Sequence, residues 1–213
     1  MRRYAGDVAA LARKDLLLEV RSRDTLPAML IFVAAALVIF HFALPSGTGE
    51  LAGLGLLWVA IIFTALLGLS RAFVAEREQG VLEGLVLAPS DRSAIWLGKS
   101  LAALAFLALA EAIALPLFAI FFSSVDGATI GAVALADVGI CAVGVFVSAM
   151  AVATRARELL LPVLFLPLAI PVIVGGVGAS VADSPGRYLG FLALYDALFA
   201  TICWASFEYV VTE

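Results

Sequence analysis

Apolar residues fall in six long runs, roughly 26–45, 51–75, 96–122, 128–153, 159–181 and 188–211, with most polar residues confined to the joins between them. About 20 apolar residues, rising 1.5 Å each in a helix, cross the ~30 Å hydrocarbon core of a bilayer. Each run is long enough. The pattern predicts an all-α, polytopic membrane protein with six transmembrane helices, organised as one domain over residues 1–213.

Composition strengthens the picture. Hydrophobic residues make up 64% of the chain and mean hydropathy is +1.12, against about 45–50% apolar content in soluble domains. A separate soluble catalytic or nucleotide-binding domain needs on the order of 100 residues, and six spans leave no such stretch in 213. The chain therefore reads as a non-enzyme: it has no catalytic residues, metal-ligand spacing or nucleotide site of its own, and nothing points to nucleic acid. Cys141 and Cys203 both fall inside apolar runs and read as small packing residues.

Charge placement gives an orientation. Every Lys and Arg except Arg187 lies before the first run (Arg2, Arg3, Arg13, Lys14, Arg21, Arg23), in the second-to-third join and the run ends that approach it (Arg71, Arg77, Arg92, Lys99), or between the fourth and fifth (Arg155, Arg157). The opposite joins hold Glu50, Asp126 and Asp183. Basic residues favour the cytoplasmic side, so both termini are expected there. The first 24 residues are charged and a full-length apolar run follows, which predicts an uncleaved first span.

Residues 5–24 predict a helix along the membrane surface, started by Asp7 and with an imperfect apolar face; an extension of the first span is the plainer reading. Gly127 and Gly131 form a small-xxx-small pair suited to close helix packing. The fifth run carries Pro162, Pro167 and Pro171. It reads equally as a flexible or partly re-entrant element serving gating, or as a kinked structural helix.

The second-to-third join, 76–95, is the informative one. Glu76, Arg77, Glu78 and Glu83 surround Val81, Leu82, Leu85 and Leu87, which suits a short helix with an apolar face and an acidic one. Gly80 and Gly84 permit close approach, Pro89 ends the helix, and Ser90 or Asp91 caps the next. The join is built to dock. Gly98-Lys99-Ser100 imitates the end of a phosphate-binding loop, but Ser93 stands where its first glycine belongs and no strand precedes it. ATP hydrolysis must then come from another chain.

Three acids lie inside apolar runs: Glu111, Asp137 and Asp196. A central Asp costs roughly 2.5–3.5 kcal/mol on insertion scales, so such residues face a bundle interior. They read either as a polar lining for a transport route or as interhelical glue. His41, near the outer end of the first run, is either an axial heme ligand or an interfacial histidine.

Glu76-Arg77-Glu78-x-Gly80-x-x-Glu83-x-Leu85, then Pro89 and Gly98-Lys99, resembles the inner loop of ABC-2-type export permeases. Lys14 to Asp24, Leu56 to Ile61, Leu66 to Phe73, Ala88 to Ile95 and Leu115 to Phe118 resemble the permease family of the cytochrome c maturation ABC system, the heme exporter B proteins. The resemblance covers the whole chain. It implies a bacterial inner-membrane permease whose 76–95 loop is the coupling element, with Glu76, Arg77, Glu78, Gly80, Glu83, Leu85 and Pro89 meeting the ATPase. It implies a homodimer in lipid, assembled with three further proteins of that system: an ATPase that binds ATP, a heme-handling membrane protein and a small membrane protein. Heme is then the handled substrate, with no intrinsic cofactor. An ABC-2 permease for a lipid-linked glycan or drug, a stand-alone transporter and a membrane scaffold are the competing readings.

Overall fold

Inside hydrocarbon each backbone N–H and C=O must be satisfied within its own segment, so long apolar runs form helices. The computed structural model describes residues 2–44, 50–78, 80, 91–152, 154 and 157–212. Among these, eight helices occur in order: α1 (Arg2–Ser22), α2 (Thr25–Ala43), α3 (Glu50–Ser70), α4 (Val74–Glu78), α5 (Arg92–Phe121), α6 (Gly127–Val152), α7 (Arg157–Val181) and α8 (Gly186–Thr212). Six of them, α2, α3 and α5 to α8, are long and apolar enough to cross a membrane.

The boundaries depart from the hydropathy reading for local reasons. α3 stops at Ser70 rather than continuing to residue 75, because residues 71–73 make a turn that redirects the chain into α4. α5 begins at Arg92, so residues 92–95 belong to a span instead of the loop. Asp91 caps that helix, its carboxylate accepting from the Ser93 N–H at 2.9 Å. α1 begins at Arg2, which leaves Asp7 inside the helix rather than at its start. α7 is continuous through Pro162, Pro167 and Pro171, which excludes a re-entrant segment there.

α6 is the most buried span, packing on α3, α5, α7 and α8, while α2 lies against α3 and α5 and α1 against α5. Close approach depends on glycines other than the pair singled out by spacing. Among the described residues nothing lies against Gly127 and Leu189 alone is near Gly131, whereas a side chain at Gly176 of α7 would run into the fully buried Trp58 indole of α3.

Candidate functional site

The turn at 71–73 folds α4 back under the bundle, and α1 crosses the first turns of α5. The Tyr4 hydroxyl meets Ser93 Oγ at 3.1 Å, and Gly98 lets Leu11 and the Val8 carbonyl approach so closely that a Cβ would clash. At this end of the bundle, where the basic residues gather, four charged side chains converge. Lys99 Nζ of α5 lies 2.9 Å from Glu76 Oε1 of α4 and 3.1 Å from Asp15 Oδ2 of α1. It also donates to the Ala72 carbonyl at 2.6 Å and sits 4.6 Å from the centre of the Phe73 ring. Lys14 completes the ring of charges, 3.0 Å from Asp15 Oδ1 and ion-paired with the same Glu76 oxygen.

Two cations and two carboxylates cancel in net charge, which is how ionised groups survive with little water. The Lys99 and Glu76 side chains are 3% and 4% exposed, Asp15 14% and Lys14 38%. Burial alone pushes the Glu76 carboxyl up; Lys99 and Lys14 more than cancel it and hold the group below its ordinary value of 4.5. Burial likewise pulls Lys14 down, and Glu76 and Asp15 reverse this, leaving it above 10.5. The arrangement ties three elements, α1, α4 and α5, through ionic contacts made largely out of water.

A second acid, Glu19, belongs to the same end. Its Oε1 accepts from the backbone N–H groups of Thr25 and Leu26 at 2.8 and 2.7 Å, capping α2 from outside. Between these groups a cavity of about 360 Å³ runs into the bundle, lined by Asp15, Glu19, Glu76 and Lys99 at its mouth and by Leu107 and Cys141 further in.

Of the loop residues expected to dock a partner, Glu76 is turned inward and buried. It is drawn there by Lys99. Arg77 is exposed. Glu78 ends α4. Gly80 has φ +65°, a left-handed turn that favours glycine, and nothing among the described residues crowds it. Glu83, Leu85 and Pro89 lie outside the described residues.

Of the intramembrane acids, Glu111 of α5 and Asp137 of α6 are both buried and stand at the same depth, each ten residues from the turn that joins these two packed helices. Asp196 of α8 lies apart from them, against Gly139 of α6. His41 stacks on Phe121 at 4.9 Å and meets Phe42 and Phe122 edge-on. That is an aromatic cluster at the far end.

Sequence reasoning missed Lys14, Asp15, Lys99 and Glu19. Their signal was a lysine in the third turn of an otherwise apolar span, and an acid–base pair on a surface helix preceding it.

Fold and site together define a class: an all-helical polytopic membrane protein in which a surface helix and an inter-span loop are bonded to the root of one span. The family model described as CcmB protein matches residues 7–208, and the chain belongs to that family. Similar proteins carry the name heme exporter protein B. That of Pseudomonas aeruginosa is 32% identical over 201 residues, covering 90% of each chain. That of Paracoccus denitrificans is 31% identical over 208 residues, covering 93% of this chain and 94% of its own. That of Bradyrhizobium diazoefficiens is 30% identical over 181 residues, covering 82% of this chain and 81% of its own.

Proposed function

We propose that this chain is the membrane permease subunit of an ABC complex that exports or delivers heme for cytochrome c maturation. A separate ATPase supplies ATP hydrolysis. A heme-handling protein and a small membrane protein complete the assembly around two copies of this chain. The protein sits in the bacterial inner membrane with the basic end and both termini in the cytoplasm. Family membership and the names of its relatives support the substrate; the basic residues support the orientation.

The observation that carries the mechanism is the buried ionic link among α1, α4 and α5. The loop that leaves α4, with Glu83, Leu85 and Pro89 on it, docks the ATPase. Displacement of the loop pulls Glu76, and Glu76 is bonded to Lys99 at the root of a 30-residue span. A push on the loop is therefore passed to α5 and to the surface helix at once, not absorbed by a flexible join. Nucleotide drives such a change only through different affinities for the two arrangements.

Purification in detergent from native membranes tests this. Wild type is expected to bring down an ATPase and a heme-handling protein. Glu83→Arg is expected to lose the ATPase. Lys99→Met is expected to keep it but to lose holo-cytochrome c formation at least tenfold. An ATPase without a heme-handling partner redirects the reading to another exporter, and no ATPase at all overturns it.

A further inference from the structure

Lys99, Ala103, Leu107 and Glu111 follow one another at four-residue intervals along α5, a row that winds about 120° around the helix from the basic end to mid-span. The cavity of about 360 Å³ is lined by the first three of these and by Cys141 of α6. Cys141 precedes the depth of Asp137 by one helical turn, about 6 Å of rise. Cys141 is 3% exposed and is the titratable group one turn from Asp137 on α6. Asp15, Glu19, Asp24, Arg71, Glu76 and Lys99 stand further off along the cavity, and Asp196 lies against Gly139, on a different part of α6.

Glu111 and Asp137 are 5% and 3% exposed, and no cation accompanies them among the described residues. Two buried carboxylates at one depth, with no cation to offset them, repel and are costly to keep out of water, so a proton on the pair is what lets them stay. Each residue also keeps one buried oxygen, Glu111 Oε1 and Asp137 Oδ1, without a partner among the described residues. A buried polar atom left so is costly, unless a mobile donor reaches it. The cavity reaches Cys141, one helical turn from Asp137.

We propose that the Glu111–Asp137 pair is an intramembrane proton-binding site, filled through the cavity from the basic end, and that the shared proton fastens α5 to α6. Removal of the proton sets the two carboxylates against each other and loosens the contact. Lys99 grips the other end of the same row on α5, so proton binding and loop movement bias one helix. This goes beyond the permease reading and does not depend on the substrate.

The test is infrared difference spectroscopy of the full chain in lipid nanodiscs, as bulk pH is raised and H2O is exchanged for D2O. A protonated-carboxyl stretch is expected that shifts in D2O and disappears with rising pH. It should persist in Cys141→Ser and be lost in both Glu111→Gln and Asp137→Asn; if one variant does not fold, the other carries the same readout. Ala103→Trp, which fills the cavity, should slow the exchange at least fivefold. A stretch indifferent to pH and D2O, or one surviving both carboxyl variants, overturns the site. Unchanged exchange in Ala103→Trp overturns the route.

Discussion

Removing the Lys99 ammonium while keeping the side chain's length, as Lys99→Met does, isolates the ionic link between α5 and the loop. The substitution leaves Glu76 buried, with the Asp15 carboxylate beside it, and removes a 2.6 Å hydrogen bond to the Ala72 carbonyl. Breaking a buried ion pair from one side costs about 3–5 kcal/mol. Lys14 still reaches Glu76, but it is 38% exposed and its contribution is screened by solvent. The expected loss for Lys99→Met is therefore about 3 kcal/mol, at the lower end for a broken buried pair. Lys14→Met, acting on a half-exposed group, is expected to cost about 1 kcal/mol or less. Unfolding in mixed micelles by SDS titration measures both. The double variant Lys99→Met, Glu76→Gln should cost less than the sum of its parts, by at least about 1 kcal/mol, because neutralising Glu76 removes the charge that Lys99→Met strands. Equal effects of Lys99→Met and Lys14→Met, or strict additivity with Glu76→Gln, would refute the buried link.

The same cluster sets a pH dependence. Glu76 is held below 4.5 when folded, so its contribution is present above that value and lost as pH falls through its lower folded value. Lys14 is held above 10.5, so its smaller contribution is present below that value and lost as pH rises through the higher one. Stability measured against pH should be flat with respect to both groups between these limits, and the acid limb should shrink in Glu76→Gln. Glu19→Ala frees the Thr25 and Leu26 N–H groups at the start of α2 and should cost about 1–2 kcal/mol by the same titration, as loss of a helix cap does. Gly176→Leu drives a side chain into the fully buried Trp58 indole between α3 and α7; overpacking of this kind costs about 1–3 kcal/mol, and a change in Trp fluorescence should accompany it.

How much was legible in the sequence follows from which interactions are local. The six spans were, because hydropathy is additive along a chain and the bilayer fixes the length of each run. Their ends were misplaced by capping and turn chemistry: Asp91 starts α5 four residues before the apolar run, and the turn after Ser70 ends α3 while the residues are still apolar. Glu111 and Asp137 were legible as buried acids but not as a pair, since nothing in their spacing says that α5 and α6 turn those faces together. Lys99 shows the limit most sharply. Its neighbours Gly98 and Ser100 drew attention to an imitation phosphate loop, and the better question was what a lysine in the third turn of a span does with its charge. Desolvation makes an unpaired ammonium there too costly to leave alone, so partners had to exist within reach of the root of α5. The exposed-looking Glu76 and the Lys14–Asp15 pair of the surface helix were the charges available near that end. A charge that opens an apolar run thus specifies a contact between distant segments, and in this chain that contact holds the loop to the span it is proposed to move.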